Sequence, residues 1–419
     1  MLIDLSTGRI ERLLAALDHP ERRMGPVVHV AGTNGKGSTC AYLRSIAEAA
    51  GLSVNVLTSP HLVRFCERIR IHGELIADNV LSSFIEAVEA ANAGEPISFF
   101  EITTALAFHA FAQRPADLNV VEVGLGGRFD ATNVFSAPAA CVITPVDLDH
   151  LEMLGPTLSK IAWEKAGILK KGAPAILARQ RPEAETVILA EAEEVGAPAT
   201  LMGREFDACE ELGGLTLRLE DRLLQLPRPS LPGAHQADNA GLAAAALLAL
   251  GDERITEAAI GRGVCGAIWP ARFQRLSAGP LARMAQVAGA DLWLDGGHNP
   301  HAAAALARTC AEMSRRDGRP WALVVGMLAR KDPAGFLAPF APLAPRLYTA
   351  GFSSQGAAPP DAIAAAAMTV GLEAAVFPDA TAALAEALSQ GGPAPHVLIC
   401  GSLHLAGDVL ALSPETWPR

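Results

Sequence analysis

The sequence predicts an α/β protein of two domains, the first built on a parallel sheet. Three observations carry this. Residues 27–57 run strand, Gly-rich turn, helix, strand, the order that gives a parallel sheet. A second alternation of strands and helices begins after Trp269. The chain has 419 residues, too many for one ordinary core.

The elements follow in order. A helical pattern covers Ile10 to Leu17. Val27-Val-His-Val-Ala reads as a buried strand, and a helix runs from Lys36 to about Ala50. Ser53-Val-Asn-Val-Leu is the next strand. Further strands are expected at Asn119–Val123, Ala139–Thr144 and Pro174–Leu177, with helices between. Residues 199–226 alternate in short pieces with a turn at Glu211-Leu-Gly-Gly, predicting a small antiparallel patch. An Ala-rich helix covers Asn239–Leu250, and Trp269-Pro-Ala-Arg breaks the pattern. The second unit has strands at Asp291–Leu294, Ala322–Val325, Arg346–Thr349, Ala374–Phe377 and His396–Ile399. Helices at Asp361–Val370 and Ala380–Ser389 lie among them. The domains are therefore set at 1–268 and 269–419.

Composition narrows the class. Half the residues are apolar and 19% are charged, as in a soluble enzyme. The start, Met1-Leu-Ile-Asp-Leu-Ser, has no basic stretch before an apolar run, so no leader peptide is expected. The apolar run Ala240–Leu250 is too short to span a bilayer, and a cytoplasmic protein is expected. The seven cysteines contain no CxxC pair, which argues against structural zinc or a disulfide framework. A net charge of −11 without a Lys/Arg block argues against nucleic acid as a partner. Lysine is confined to Lys36, Lys160, Lys165, Lys170, Lys171 and Lys331, so each position is informative.

The strongest local signal is Gly32-Thr-Asn-Gly-Lys-Gly-Ser-Thr39 between a strand and a helix, the setting of a phosphate-binding loop. Its glycine spacing is shorter than that of the common P-loop, and Gly37 separates Lys36 from Ser38. Three further positions fall near the carboxyl ends of strands, where open parallel sheets bind ligands. They are Ser59 in Thr58-Ser-Pro-His61, Glu122 before Gly124-Leu-Gly-Gly-Arg128, and His150 in Asp147-Leu-Asp-His150. Hydroxyl, carboxylate and imidazole together suit Mg²⁺ beside phosphates. Singly they read as a loop serine, a solvated glutamate and a capping histidine. Lys165 sits late in a helix within Glu164-Lys-Ala-Gly-Ile168, where a plain surface lysine is the default. Phe99-Phe-Glu-Ile-Thr-Thr104 enters a helix, as core packing or as a slot for a flat ring. Leu231–Asn239 leads into a helix with several polar side chains, and Asp295-Gly-Gly-His-Asn-Pro300 ends the second unit's first strand.

Taken together and in order, Gly32–Thr39, Thr58–Leu62, Val121–Asn133, Glu164–Ile168, Leu231–Ala240, Trp269–Arg272 and Asp295–Pro300 resemble the folylpolyglutamate synthases. The likeness is strongest to the bacterial bifunctional dihydrofolate synthase/folylpolyglutamate synthases, relatives of the Mur ligases, and it covers nearly the whole chain. It implies a P-loop N-terminal domain, a Rossmann-like C-terminal domain and an active site between them. It implies that ATP phosphorylates a carboxylate, dihydropteroate or the γ-carboxyl of a folate, and that L-glutamate attacks the acyl phosphate. Asn34, Gly35, Lys36, Gly37 and Ser38 would hold ATP, with Asn239, Arg272 and Asp295. Ser59 and Glu122 would bind one Mg²⁺, and His150 with a carbamylated Lys165 a second; a monovalent cation is also implied. The pterin would lie near Ser98, Phe99, Phe100 and Glu101 and near Phe129, Asp130 and Ala131. Lys36, Lys165 and His298 would be the catalytic groups, with His298 facing the glutamate or the phosphoryl group. A monomer without nucleic-acid or membrane partners is expected. The chain departs from the family pattern at Gly297, where alanine is usual, and at Ala271, where glycine is usual. Its N-terminal segment is short.

Two other classes share part of this pattern. A Mur-type ligase acting on a nucleotide-sugar peptide would need a further N-terminal domain, and only 31 residues precede Gly32. A P-loop NTPase without ligase chemistry would have no use for Lys165 or for Asp295–Asn299.

Overall fold

The computed structural model describes residues 6–211 and 213–419, which form two compact units. The first comprises residues up to His61, Phe65–Ser230 and Gln236–Ile268; the second comprises Leu62–Arg64, Leu231–His235 and Trp269–Arg419. A division at 268/269 alone leaves out the two short excursions at 62–64 and 231–235. The first has a packing reason, because Gly407 lies against the Leu62 carbonyl so closely that a Cβ would overlap it.

The first unit begins with helix α1 (Gly8–Ala16), strand β1 (Val27–Ala31), α2 (Lys36–Ala49), β2 (Val54–Leu57), β3 (Ile69–Ile71) and β4 (Glu74–Leu75). Then come α3 (Asp78–Asn92), α4 (Phe99–Gln113), β5 (Leu118–Glu122), β6 (Ala140–Ile143), α5 (Leu151–Leu154), α6 (Leu158–Ala166), β7 (Ala175–Leu177), α7 (Pro182–Val195) and β8 (Ala199–Leu201). Among the described residues these strands form one eight-stranded sheet in the order β4-β3-β2-β5-β1-β6-β7-β8. β1 lies between β5 and β6, parallel to both and buried along its whole length. That is why its sequence is nearly continuous in apolar residues. β9 (Asp207–Glu211), β10 (Gly214–Arg218) and β11 (Leu223–Leu226) make a separate antiparallel sheet. The patch expected over 199–226 is thus only partly antiparallel. Residues 199–201 pair parallel with β7, because α7 supplies the crossover that a parallel neighbour requires. The unit closes with α8 (His235–Leu248) and α9 (Glu257–Gly266). α8 starts four residues before the expected Asn239.

The second unit contains β12 (Gln274–Arg275), α10 (Pro280–Val287), β13 (Asp291–Leu294), α11 (Pro300–Asp317), β14 (Trp321–Val325), α12 (Pro333–Leu337) and β15 (Arg346–Ala350). α13 (Pro360–Thr369), β16 (Ala374–Phe377), α14 (Ala380–Ser389), β17 (His396–Cys400) and α15 (Leu403–Ala411) complete it. Its sheet runs β12-β13-β17-β14-β15-β16, parallel except for β12, with one apolar cluster around Val324 and Ile399 and another around Leu323 and Leu398. Alternate residues of β14 and β17 face opposite sides, so helices cover both faces. Ala271 has φ 54°, a left-handed conformation that favours glycine, which explains why glycine is usual there. No helix among the described residues is long and apolar enough to cross a membrane.

Candidate functional site

The phosphate loop forms where β1 gives way to α2. Gly32 has φ 144° and lies against Thr144 so tightly that any Cβ would overlap its hydroxyl, so only glycine fits. Gly35 has φ 90°, and a Cβ there would stand 2.5 Å from Asn239 Oδ1. The Thr33 and Asn34 N–H groups donate to the Pro145 carbonyl at 3.0 and 3.3 Å, and Thr33 Oγ1 donates to the Asp147 carbonyl at 3.0 Å. Gly35 caps α2 without a side-chain hydrogen bond, which leaves the first-turn N–H groups of the helix to an anion. Lys36 Nζ folds back onto the Gly32 and Thr33 carbonyls at 3.1 and 3.4 Å.

Lys165 reaches the same loop. It is buried near the end of α6, and its Nζ donates to the Gly32 carbonyl at 2.8 Å. Both lysines therefore meet at one carbonyl. Burial lowers the Lys165 pKa to about 7, and the Lys36 charge pushes the same way, against Asp149, Asp130 and Glu164. A surface lysine would feel none of this.

Glu122 ends β5 and is buried, accepting a hydrogen bond from the Ser59 N–H at 3.2 Å. β2 and β5 are adjacent and parallel, so residues following their carboxyl ends meet. His150 has φ 54° at the N-terminus of α5, its N–H donating to Asp149 Oδ1 at 2.8 Å. Among the described residues no three His, Cys, Asp or Glu side chains converge to hold a metal by themselves. A divalent cation would need the Ser59 hydroxyl and phosphate oxygens as well. Ser59, Glu122 and His150 are hard or borderline donors of the kind Mg²⁺ accepts.

The residues expected around a pterin divide into two kinds. Ser98 and Glu101 form a reciprocal capping box at the start of α4: the Glu101 N–H donates to Ser98 Oγ at 3.2 Å and the Ser98 N–H to Glu101 Oε2 at 2.8 Å. Arg9 Nε donates to both Glu101 oxygens at 3.1 Å, so the short N-terminal segment does reach this helix. Phe100 fills the space over Gly124, where a Cβ would overlap its ring. Asp130 is buried and accepts from the Leu125 N–H at 2.9 Å and from Thr132 Oγ1 at 2.5 Å, so it organises its own loop. Ala131 belongs to the core. Phe99 and Phe129 are instead exposed, at 50% and 39%. Phe129 lies beside the Trp163 ring at 6.5 Å, and Arg128 stacks on Trp163 at 3.9 Å.

In the second unit Asp295 is buried at the end of β13 and accepts from the Phe273 and Gly297 N–H groups at 2.7 and 2.6 Å. Burial pushes its carboxyl up, and nearby Arg272 pulls it down. Arg272 Nη1 donates to the Ala271 carbonyl at 2.9 Å. His298 Nδ1 donates to the Gly296 carbonyl at 2.9 Å. An alanine at 297 would bring its Cβ within 2.8 Å of Asp295 Oδ1.

Two neighbours were not singled out from the sequence. Gln236 Nε2 donates to Ser38 Oγ at 3.4 Å while Asn239 Nδ2 donates to Gln236 Oε1 at 3.0 Å, so α8 holds the phosphate loop through a pair three residues apart. That spacing was present in the sequence. Arg68, next to Glu122, carried no such signal.

Known proteins resemble this chain over nearly its whole length. Residues 30–247 match the Mur ligase middle domain, and residues 281–403 match the Mur ligase glutamate ligase domain. The dihydrofolate synthase/folylpolyglutamate synthase of Escherichia coli is 36% identical, over 97% of this chain and 91% of its own length. The solved Escherichia coli structure in complex with DHPP and ADP has a TM-score of 0.85 at 34% identity, covering 97% of this chain and 92% of that one. A bifunctional folylpolyglutamate synthase/dihydrofolate synthase with Mn, AMPPNP and L-glutamate bound has a TM-score of 0.86 at 32% identity, covering 98% of this chain and 94% of that one.

Proposed function

The chain belongs to the Mur ligases, on the branch of the folylpolyglutamate synthases, and from that premise we propose that it joins L-glutamate to dihydropteroate and to the γ-carboxyl of tetrahydrofolates. The observation that carries the reading is the meeting of Lys36 and the buried Lys165 on the Gly32 carbonyl. A plain NTPase has no need of a second, neutral-prone lysine there.

In the proposed reaction a substrate carboxylate oxygen attacks the γ-phosphorus of ATP and ADP leaves. The glutamate amine then attacks the acyl carbon, phosphate leaves, and the nitrogen loses a proton. Asn34 to Ser38 would cradle the phosphates through N–H groups, and Lys36 would swing from the loop carbonyls to the outer phosphates. Asn239, Arg272 and Asp295 would complete ATP binding. Two Mg²⁺ ions, on Ser59 with Glu122 and on His150 with Lys165, would neutralise developing phosphoryl charge. Lys165 would serve the second site as a carbamate: its neutral amine adds CO₂ and loses a proton to give an anion, whereas an ammonium would repel the cation. His298 would face the incoming glutamate or the phosphoryl group. Phe99 and Phe129 would flank the flat rings of the acceptor, the pterin and the aryl group joined to it. A monovalent cation belongs to the same reading, as do a cytoplasmic location and a monomeric state.

The test is direct. Purified protein with ATP, Mg²⁺, L-glutamate and dihydropteroate should release ADP and form dihydrofolate. ADP release that does not depend on the folate-type acceptor would overturn the reading.

A further inference from the structure

Arg68 is a buried cation that the reaction described above does not use. It ends a single 3-10 turn, Phe65–Arg68, and its carbonyl accepts from the Thr58 N–H at 2.9 Å. The next residue, Ile69, pairs with Leu57, and Leu57 pairs with Val121 of β5. Arg68 therefore stands at the carboxyl ends of β2 and β5, beside the Ser59–Glu122 contact. The residue is 8% exposed, and the Glu122 charge acts on it. Its Nε donates to His61 Nδ1 at 2.8 Å, the one side-chain hydrogen bond it makes among the described residues. The two terminal nitrogens are left for a ligand. The Phe65 and Phe99 rings lie 5.8 and 5.4 Å from the guanidinium carbon and 5.8 Å from each other. Phe99 is half exposed.

A guanidinium held this way is aimed and partly desolvated before any ligand arrives. Its N–H groups are the charge-assisted donors that a carboxylate oxygen accepts. The aromatic rings beside it offer a face to a flat ring attached to that carboxylate. We propose that Arg68 receives the reacting carboxylate of the acceptor substrate, and that Phe65 and Phe99 seat the aryl ring that bears it. The inference rests on the ligase reading above. Held by Arg68 through one oxygen, the carboxylate keeps the other free to attack phosphorus near Ser59 and Glu122. No proton moves in that step: the carboxylate oxygen gives its electron pair to phosphorus, ADP leaves with the pair of the broken P–O bond, and the guanidinium stays protonated throughout. The aryl seat suits an arylcarboxylate such as dihydropteroate better than the aliphatic γ-carboxyl of a folate. The two acceptors should therefore differ in their dependence on Phe99.

The experiment compares wild type with Arg68→Met, Arg68→Lys and Phe99→Ala. Steady-state KM is measured for dihydropteroate, for tetrahydrofolate and for ATP, and titration calorimetry compares dihydropteroate with its methyl ester. Losing a charge-assisted hydrogen bond should raise the dihydropteroate KM of Arg68→Met roughly tenfold to a hundredfold, with Arg68→Lys between and the ATP KM unchanged. Wild type should bind the acid more tightly than the ester, and Arg68→Met should lose that preference. Phe99→Ala should weaken dihydropteroate more than tetrahydrofolate. An equal rise in the ATP KM would place Arg68 on Glu122 and the metal instead, and a lowered melting temperature with unchanged KM values would make it structural. Either result overturns the proposal. Wild type that fails to ligate either acceptor would refute the ligase reading itself, which separates the two failures.

Discussion

Lys165 must be buried to sit on the Gly32 carbonyl, and burial is what makes its amine neutral enough to react with CO₂. An unperturbed lysine, with a pKa of about 10.4, is almost wholly protonated at neutral pH. Here burial, aided by Lys36, brings the value to about 7. The neutral fraction therefore grows as pH rises through 7, and carbamate formation should follow. We predict that ligation in CO₂-depleted buffer falls most steeply below pH 7 and is restored by bicarbonate. Lys165→Ala should be nearly inactive and partly rescued by a short carboxylic acid. Carbon-13 NMR with labelled bicarbonate checks the adduct directly, and no carbamate signal at pH 8 in active protein would refute it. The linkage has a matching sign in stability. The folded-state pKa is lowered, so below pH 7 the fold bears the full cost of burying the ammonium. That cost is relieved between pH 7 and the unfolded value of 10.5, where stability rises. In Lys165→Met this part of the rise should vanish, which chemical denaturation at pH 6.5 and 9 measures.

At the scale of elements, the loop after β5 is fastened to the last turn of α6. The Arg128 N–H donates to the Glu164 carbonyl at 2.7 Å, and Asn133 Nδ2 donates to the Gly167 carbonyl at 3.0 Å. Gly167 lies so close to Arg128 that an added Cβ would overlap its Cα and Cβ. Its conformation is ordinary for any residue (φ −61°), so the constraint is space and not backbone strain. We predict that Gly167→Ala forces loop and helix apart at a cost of about 1–3 kcal/mol, with ligation reduced further because Lys165 shifts with the helix. Denaturant midpoints and kcat check the two effects, and unchanged stability would show that the loop yields freely. Asp295 makes a second case. Its two oxygens each accept a backbone N–H, so Asp295→Ala should cost about 1–3 kcal/mol of stability besides any loss of ATP affinity. A melting temperature equal to wild type would leave Asp295 with a ligand role alone.

These elements also show what the sequence could convey. The strand–loop–helix at 27–49 was legible because a buried parallel strand is continuously apolar and Gly32-Thr-Asn-Gly-Lys-Gly has one common use. In the second unit β14, β15 and β17 were legible for the first of those reasons. Residues 199–201 were misassigned because three residues carry no period that separates an edge strand from a hairpin. α3 escaped notice although Leu81, Phe84 and Val88 mark one buried face at helical spacing. Ser98, Glu101 and Asp130 were named from resemblance, and only the coordinates assign them capping and loop-holding bonds. Arg68 was hidden because it lies 54 positions from Glu122 and reaches it only through the pairing of β3 with β2 and of β2 with β5, which no local pattern encodes.

For the whole molecule, the two units have separate cores, and only the first contains the phosphate loop. A ligand that binds the native state alone stabilises the part that holds it by RT ln(1 + [L]/Kd), about 2.7 kcal/mol at a hundred times Kd. For a unit of this size that corresponds to a rise in melting temperature of roughly 5–10 °C. We predict that ADP with Mg²⁺ raises the calorimetric transition of the first unit by such an amount. Lys36→Ala should remove most of the shift while leaving the ligand-free transition in place. Among the described residues Lys36 makes two hydrogen bonds, to the Gly32 and Thr33 carbonyls, and it bears on Lys165 as a like charge. Losing the bonds costs little, and removing the like charge offsets part of that loss. The variant therefore separates anion binding from folding. If Lys36→Ala keeps the full ADP shift, the phosphates do not rest on this loop, and the assignment of Asn34 to Ser38 falls with it.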